Sequence, residues 1–182
     1  NLKVILTREE DVFQTVTDKV KFTNGQRTDL FISLHTNFAT KEEGDKSGFE
    51  IYIPRNKDRE NIEQCKLFAQ AIEQTMQQSF NSNGIKSREI GIWVLKETKC
   101  PAALIECGFI SNKNDLAILK DEAQRRKMAE LILEGISNYL KAYETGTLPS
   151  ITKREMPSST IQKQVTDTIP KKINSVSITL KD

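Results

Sequence analysis

One histidine occurs in the 182 residues of this chain, at position 35. The apolar run Leu30, Phe31, Ile32 and Leu34 leads into His35, and the small polar pair Thr36-Asn37 follows it. An imidazole so placed has two uses. It can be a buried ring bonded to a backbone carbonyl, since histidines are commonly found at intermediate burial. It can also be a ligand at the mouth of a strand, with Thr36 and Asn37 leaving room for a bound molecule. A second residue raises the same question. Glu106 interrupts the apolar stretch Ala102-Ala103-Leu104-Ile105-Glu106-Cys107-Gly108-Phe109. An unpaired carboxylate is costly to bury. Either a cation neutralises it, and Arg88 is available, or it sits at a cleft where it can shuttle protons.

Taken together, the imidazole and the carboxylate suggest zinc-assisted hydrolysis. The imidazole holds the metal, the metal polarises a carbonyl and acidifies water, and the glutamate passes the proton to the leaving nitrogen. One histidine does not complete such a site, which needs three protein ligands and an open position.

The elements that must position these residues are legible as hydrophobic periodicity. Residues 2–8 read as a buried strand, and 15–27 as a helix capped by Thr15, with Asp18 three residues later. Residues 30–35 form the strand that delivers His35. The polar segment 39–48 is a loop, and 49–54 alternates Phe49, Ile51 and Ile53 against Glu50 and Tyr52 before stopping at Pro54. Ile62, Cys65, Ala69, Ile72 and Met76 recur at helical spacing within 58–80. Residues 81–84 read as a turn, and 90–95 fits either a strand or a short helix. Residues 102–109 are a buried strand. Asn112 caps a short helix, and Asp121 with Gln124 opens a longer one that runs to about Tyr143. Strands alternating with helices predict an α/β fold: a mixed, mainly parallel central sheet flanked by helices. Ligands in such sheets lie at the carboxyl ends of strands, where His35 and Glu106 both fall.

Composition narrows the classes. Apolar residues make up 37% and charged residues 29%, and the net charge is +2. That balance supports a packed core and offers no electrostatic case for nucleic acid or an anionic membrane as partner. No run reaches the length of a transmembrane helix. Cys65, Cys100 and Cys107 are odd in number and irregularly spaced, which is not a disulfide framework; Cys65 and Cys107 read as small core residues. From about Thr145 the chain is rich in Thr, Ser, Pro, Lys and Gln without periodicity. Residues 145–182 read as a linker or disordered tail, in which 173–180 alternates like a strand of some other unit.

Four segments carry a resemblance. VILTREED, NGQRTDLFISLHTNF, PAALIECGFISNKNDLAIL and RRKMAELILEGISNYL stand in order across residues 2–143. They resemble the zinc-dependent N-acetylmuramoyl-L-alanine amidases that cut bacterial peptidoglycan. The most specific pair is Ser-hydrophobic-His-x-Asn joined to Pro-Ala-x-hydrophobic-hydrophobic-Glu-x-Gly-Phe. The resemblance implies a catalytic domain over 1–144 and cleavage of the amide between the muramoyl lactyl group and L-alanine. It makes His35 a zinc ligand and Glu106 the catalytic acid and base. It places Asn37 and Arg88 toward the substrate, and it implies peptidoglycan as partner and the periplasm, cell envelope or exterior as the place of action.

The same resemblance implies two further zinc ligands. One is a histidine in a glycine-rich turn and the other a glutamate opening a helix, both upstream of the segment matching VILTR. Neither is in these residues. The expectation is an amidase domain incomplete at its amino terminus, with a partial zinc site and little activity as given. The alternative is a catalytically dead module that binds peptidoglycan or regulates, and a third reading leaves His35 and Glu106 merely structural.

Overall fold

The computed structural model describes residues 2–55, 60–88 and 90–146, and the backbone of 175–180. Six strands form one sheet: β1 (Lys3–Leu6), β2 (Leu30–Asn37), β3 (Phe49–Tyr52), β4 (Ser82–Lys86), β5 (Ala102–Phe109) and β6 (Ser175–Leu180). Their spatial order is β1-β6-β2-β5-β3-β4. The strands β1, β6, β2 and β5 run parallel, whereas β3 is antiparallel to β5 and carries β4 parallel to itself. The sheet is therefore mixed and mainly parallel, as the alternation of elements predicts.

Helices cover both faces. α2 (Ile62–Met76), α4 (Lys113–Lys120) and α5 (Glu122–Thr145) serve the larger core, while α1 (Val16–Gly25) and α3 (Trp93–Glu97) serve the smaller. Side chains on a strand alternate between faces. Leu30, Ile32, Phe49, Ile51, Ala103 and Ile105 thus point into the larger core, against Phe68, Ile72, Met128 and Ile136. The helices α2 and α5 approach closely at Gly135, where an added Cβ would lie 2.6 Å from Ile72 Cα. The Thr75 hydroxyl donates to the Leu131 carbonyl at 2.7 Å across the same contact. The opposite face holds the small cluster of Val20, Phe31, Tyr52, Val94, Leu95, Ala102 and Leu104. Further along β2 and β5 that face turns polar.

The capping signals in the sequence are realised. The Asp18 amide donates to Thr15 Oγ1 at 3.1 Å, and the amides of Asn114 and Asp115 donate to Asn112 Oδ1. The Gln124 amide donates to Asp121 Oδ1. The helix α5 stops at Gly146, whose φ of 66° is the left-handed conformation that glycine adopts without a Cβ penalty.

Three expectations change, and one left open between strand and short helix is settled as helix. The segment expected to be a turn at 81–84 opens β4, because it pairs with β3 at the sheet edge. The ambiguous run at 90–95 resolves into α3, and Ile90 before it is 88% exposed. The strand β1, expected to be buried, exposes Val4 and Leu6, since it lies outermost in the sheet. Residues 175–180, expected to belong to another unit, pair with β1 on one side and β2 on the other. Residues 147–174 and 181–182 of the expected tail lie outside the described residues.

Candidate active site

The polar face is built by strand register. The strands β2 and β5 pair in parallel from Phe31↔Ala102 to His35↔Glu106, so the two candidate residues are direct neighbours. Phe31 and Leu104 anchor the face in the small cluster, and alternation carries Ser33, His35 and Glu106 onto the same side. His35 Nδ1 lies 3.9 Å from Glu106 Oε1, with the glutamate side chain 7% exposed and the imidazole 20%. Ser33 Oγ lies 2.8 Å from His35 Nε2, which fixes the ring from its other edge. The imidazole and the carboxylate share one side of the sheet at the carboxyl end of β2.

Immediately after this pair the register slips, from His35↔Glu106 to Asn37↔Phe109. The bulge includes Gly108, whose φ of 149° favours glycine. Bulges of this kind end pairing and re-aim side chains, and they are common beside active sites. Asp115 secures the turn that follows. Its carboxylate accepts from the Phe109 amide at 2.8 Å and from the Gly48 amide at 2.9 Å, tying β5, α4 and the loop before β3 together.

A residue read only as one of the alternating positions of a strand becomes part of the site. Glu50 on β3 is the register partner of Glu106 and is 4% exposed. Three donors hold it: Lys86 Nζ at 2.6 Å, the Tyr52 hydroxyl at 2.8 Å and Asn37 Nδ2 at 3.2 Å. Burial pushes the Tyr52 phenol up, and the hydrogen bond and charge of Glu50 add to that. The signal was present in the sequence. A sheet with helices on both faces has little solvent side, so a carboxylate in the middle of FEIY must be paired or functional. The candidates Asn37 and Arg88 both reach this cluster, Asn37 directly through Glu50 and Arg88 through Tyr52. The Arg88 guanidinium lies 4.8 Å from the centroid of the Tyr52 ring. Arg88 thus rests on an aromatic ring, where the sequence had offered it as a partner for Glu106. Phe38, next to Asn37, and Ile90 and Trp93, just beyond Arg88, are exposed apolar side chains in the segments that carry these two residues.

Among the described residues, no three or more His, Cys, Asp and Glu side chains are grouped to hold an ion. Cys107, next to Glu106 in sequence, belongs to the opposite, larger core. Burial, followed by the charge of Glu106, pushes its thiol up to about 12. It is a protonated core residue at neutral pH. His35, with Glu106 beside it, falls short of the three protein ligands that catalytic zinc requires.

Fold and site define a mixed α/β domain with an imidazole–carboxylate pair at the carboxyl ends of adjacent parallel strands. The chain belongs to the N-acetylmuramoyl-L-alanine amidase family, whose model matches residues 1–138. It is 35% identical over 167 residues to the endolysin of Bacillus phage SPP1, covering 89% of this chain and 59% of the endolysin. It is 26% identical over 137 residues to the N-acetylmuramoyl-L-alanine amidase LytC of Bacillus subtilis, covering 75% of this chain and 27% of LytC. Among solved structures it is similar to the catalytic domain of CwlV, an N-acetylmuramoyl-L-alanine amidase of Bacillus (Paenibacillus) polymyxa var. colistinus. That match has a TM-score of 0.67 and 30% identity, over 77% of this chain and 73% of that one. The N-acetylmuramoyl-L-alanine amidase of Clostridium difficile 630 superposes with a TM-score of 0.68 at 27% identity, over the same shares. The chain spans less than two thirds of the length of these two curated relatives. No helix among the described residues is long and apolar enough to cross a membrane.

Proposed function

We propose that this chain is the body of a cell-wall hydrolase that cleaves the amide between the muramoyl lactyl group and the L-alanine of peptidoglycan. The observation that carries the proposal is the register pairing of His35 with Glu106, which places both side chains on one polar face 3.9 Å apart. Glu106 is the catalytic acid and base: it takes a proton from the attacking water and returns it to the departing amine nitrogen. Asn37, oriented by Glu50, and Arg88 line the substrate side. The substrate places the reaction outside the cytoplasmic membrane, in the periplasm, envelope or medium.

Zinc dependence is part of the same proposal, with His35 as one ligand. The residues present supply only a partial donor set for that metal. This sequence alone is expected to bind zinc weakly and to turn over little substrate. That same donor set favours a second reading for the chain as given, a glycopeptide-binding or regulatory module without activity.

The deciding experiment replaces Glu106 by Gln in the full-length protein and follows release of stem peptide from purified peptidoglycan. Loss of a positioned acid and base is expected to lower the rate by roughly 10²- to 10⁴-fold. Unchanged release would return His35 and Glu106 to a structural role.

A further inference from the structure

We propose that Arg88 is a specificity-determining residue, whose guanidinium, shelved on the Tyr52 ring, binds a carboxylate of the stem peptide. The proposal rests on the amidase reading and names the substrate feature that the site selects. Three observations support it. First, Arg88 is exposed, yet its guanidinium lies over the Tyr52 ring at 4.8 Å. A guanidinium held over an aromatic ring and bonded to its hydroxyl keeps its remaining N–H groups available and loses less freedom when it binds a planar anion. Second, the shelf is rigid. Tyr52 is 8% exposed, its hydroxyl donates to Glu50 at 2.8 Å, and Lys86 locks Glu50 from the next strand at 2.6 Å. Third, Glu50 is the register partner of Glu106, so the support under Arg88 is continuous with the proposed catalytic carboxylate.

Among the described residues the partner of Arg88 is the Tyr52 ring and hydroxyl, not a carboxylate. The fork geometry of arginine matches carboxylates bidentately, and a lysine there would supply charge without the fork. A glycopeptide lying along the polar face from Glu106 toward Tyr52 would bring a carboxylate of the peptide beyond the L-alanine toward the guanidinium.

The test uses the chain as it stands, isotope-labelled and titrated with N-acetylmuramoyl-L-alanyl-D-glutamate or with the same compound amidated at both glutamyl carboxylates. Backbone amide shifts report binding. The acidic compound is expected to bind about tenfold tighter than the amide, or about 1.4 kcal/mol, and the difference should shrink in high salt. Arg88→Gln should abolish the preference, leaving the acidic and the amidated compound with equal affinity. Arg88→Lys should retain part of it. Equal affinity of the wild-type chain for the two compounds overturns the proposal, as does a preference that survives Arg88→Gln. Failure of both compounds to bind also overturns it. In any of these cases the amidase reading is judged separately by the Glu106→Gln assay.

Discussion

At the scale of single residues, the site depends on groups that hold one another in place. Glu50 is the clearest case, a buried carboxylate satisfied by Lys86, Tyr52 and Asn37 together. Glu50→Ala removes one acceptor and strands three donors. It should destabilise the fold by about 2 kcal/mol, since half-exposed Lys86 recovers its hydration but the Tyr52 hydroxyl does not. Urea denaturation measures this, and a midpoint equal to wild type would show that the network contributes nothing. The single imidazole makes a second residue-level prediction. Calorimetric titration of this sequence with zinc should show weak binding that His35→Ala abolishes. Tight one-to-one binding would mean that the chain contains ligands beyond His35 and Glu106. The readout is direct because one ring, with its Nε2 already beside Ser33 Oγ at 2.8 Å, cannot replace a full ligand set.

At the scale of elements, two contacts set how precisely the polar face is presented. Gly135 lets α5 lie against α2, and an alanine there would put its Cβ 2.6 Å from Ile72 Cα and 2.9 Å from the Ala71 carbonyl oxygen. Alanine favours helix over glycine by up to about 1 kcal/mol. Overpacking against backbone, which cannot rotate away, costs roughly 1–3 kcal/mol. Gly135→Ala should therefore be destabilising on balance, as thermal melting will show, whereas a stabilised variant would mean that the helices separate freely. Asp115 ties α4 to the amides of Phe109 and Gly48 just past the bulge that follows Glu106. Asp115→Ala leaves the buried Phe109 amide and the part-buried Gly48 amide unsatisfied, at a cost of about 1–3 kcal/mol. Hydrogen exchange should accelerate at both amides, and protection equal to wild type would place the restraint elsewhere.

At the scale of the whole molecule, several acidic groups are held protonated by burial, and this makes stability fall on the alkaline side. Burial is the leading cause of the rise for Cys107, whose thiol reaches about 12, and for Tyr52, Tyr139 and Tyr143. In the unfolded chain a thiol ionises near pH 8.5 and phenols near pH 10. Above those values the unfolded state has lost protons that the native state still holds, so stability decreases as pH rises. The loss begins near pH 8.5 with Cys107 and steepens near pH 10 with the tyrosines. Cys107 alone should account for about 2 kcal/mol by pH 10. Melting temperatures from pH 7 to pH 10.5 should fall accordingly, with Cys107→Ala removing the earlier part. A flat profile would show that these groups ionise freely in the native protein.

Local pattern alone determined much of this protein. The runs around Leu30–Leu34 and Ala102–Ile105, the helical spacing of Ile62 to Met76 and the caps at Thr15, Asn112 and Asp121 specify their elements, because periodicity and capping act within a few residues. His35 and Glu106 were visible as polar residues placed where apolar ones belong. What the chain order could not convey was adjacency. The strand β4 reads as a turn, because an edge strand with Asn83 and Gly84 exists only through its pairing with β3. The place of β6 between β1 and β2 is likewise a matter of pairing across more than a hundred residues. Glu50 joined the site, and Arg88 was shelved on Tyr52, only when tertiary register set β3 beside β5. A side chain's type is a property of the sequence, but the face it shares and the charge beside it are properties of the assembled sheet.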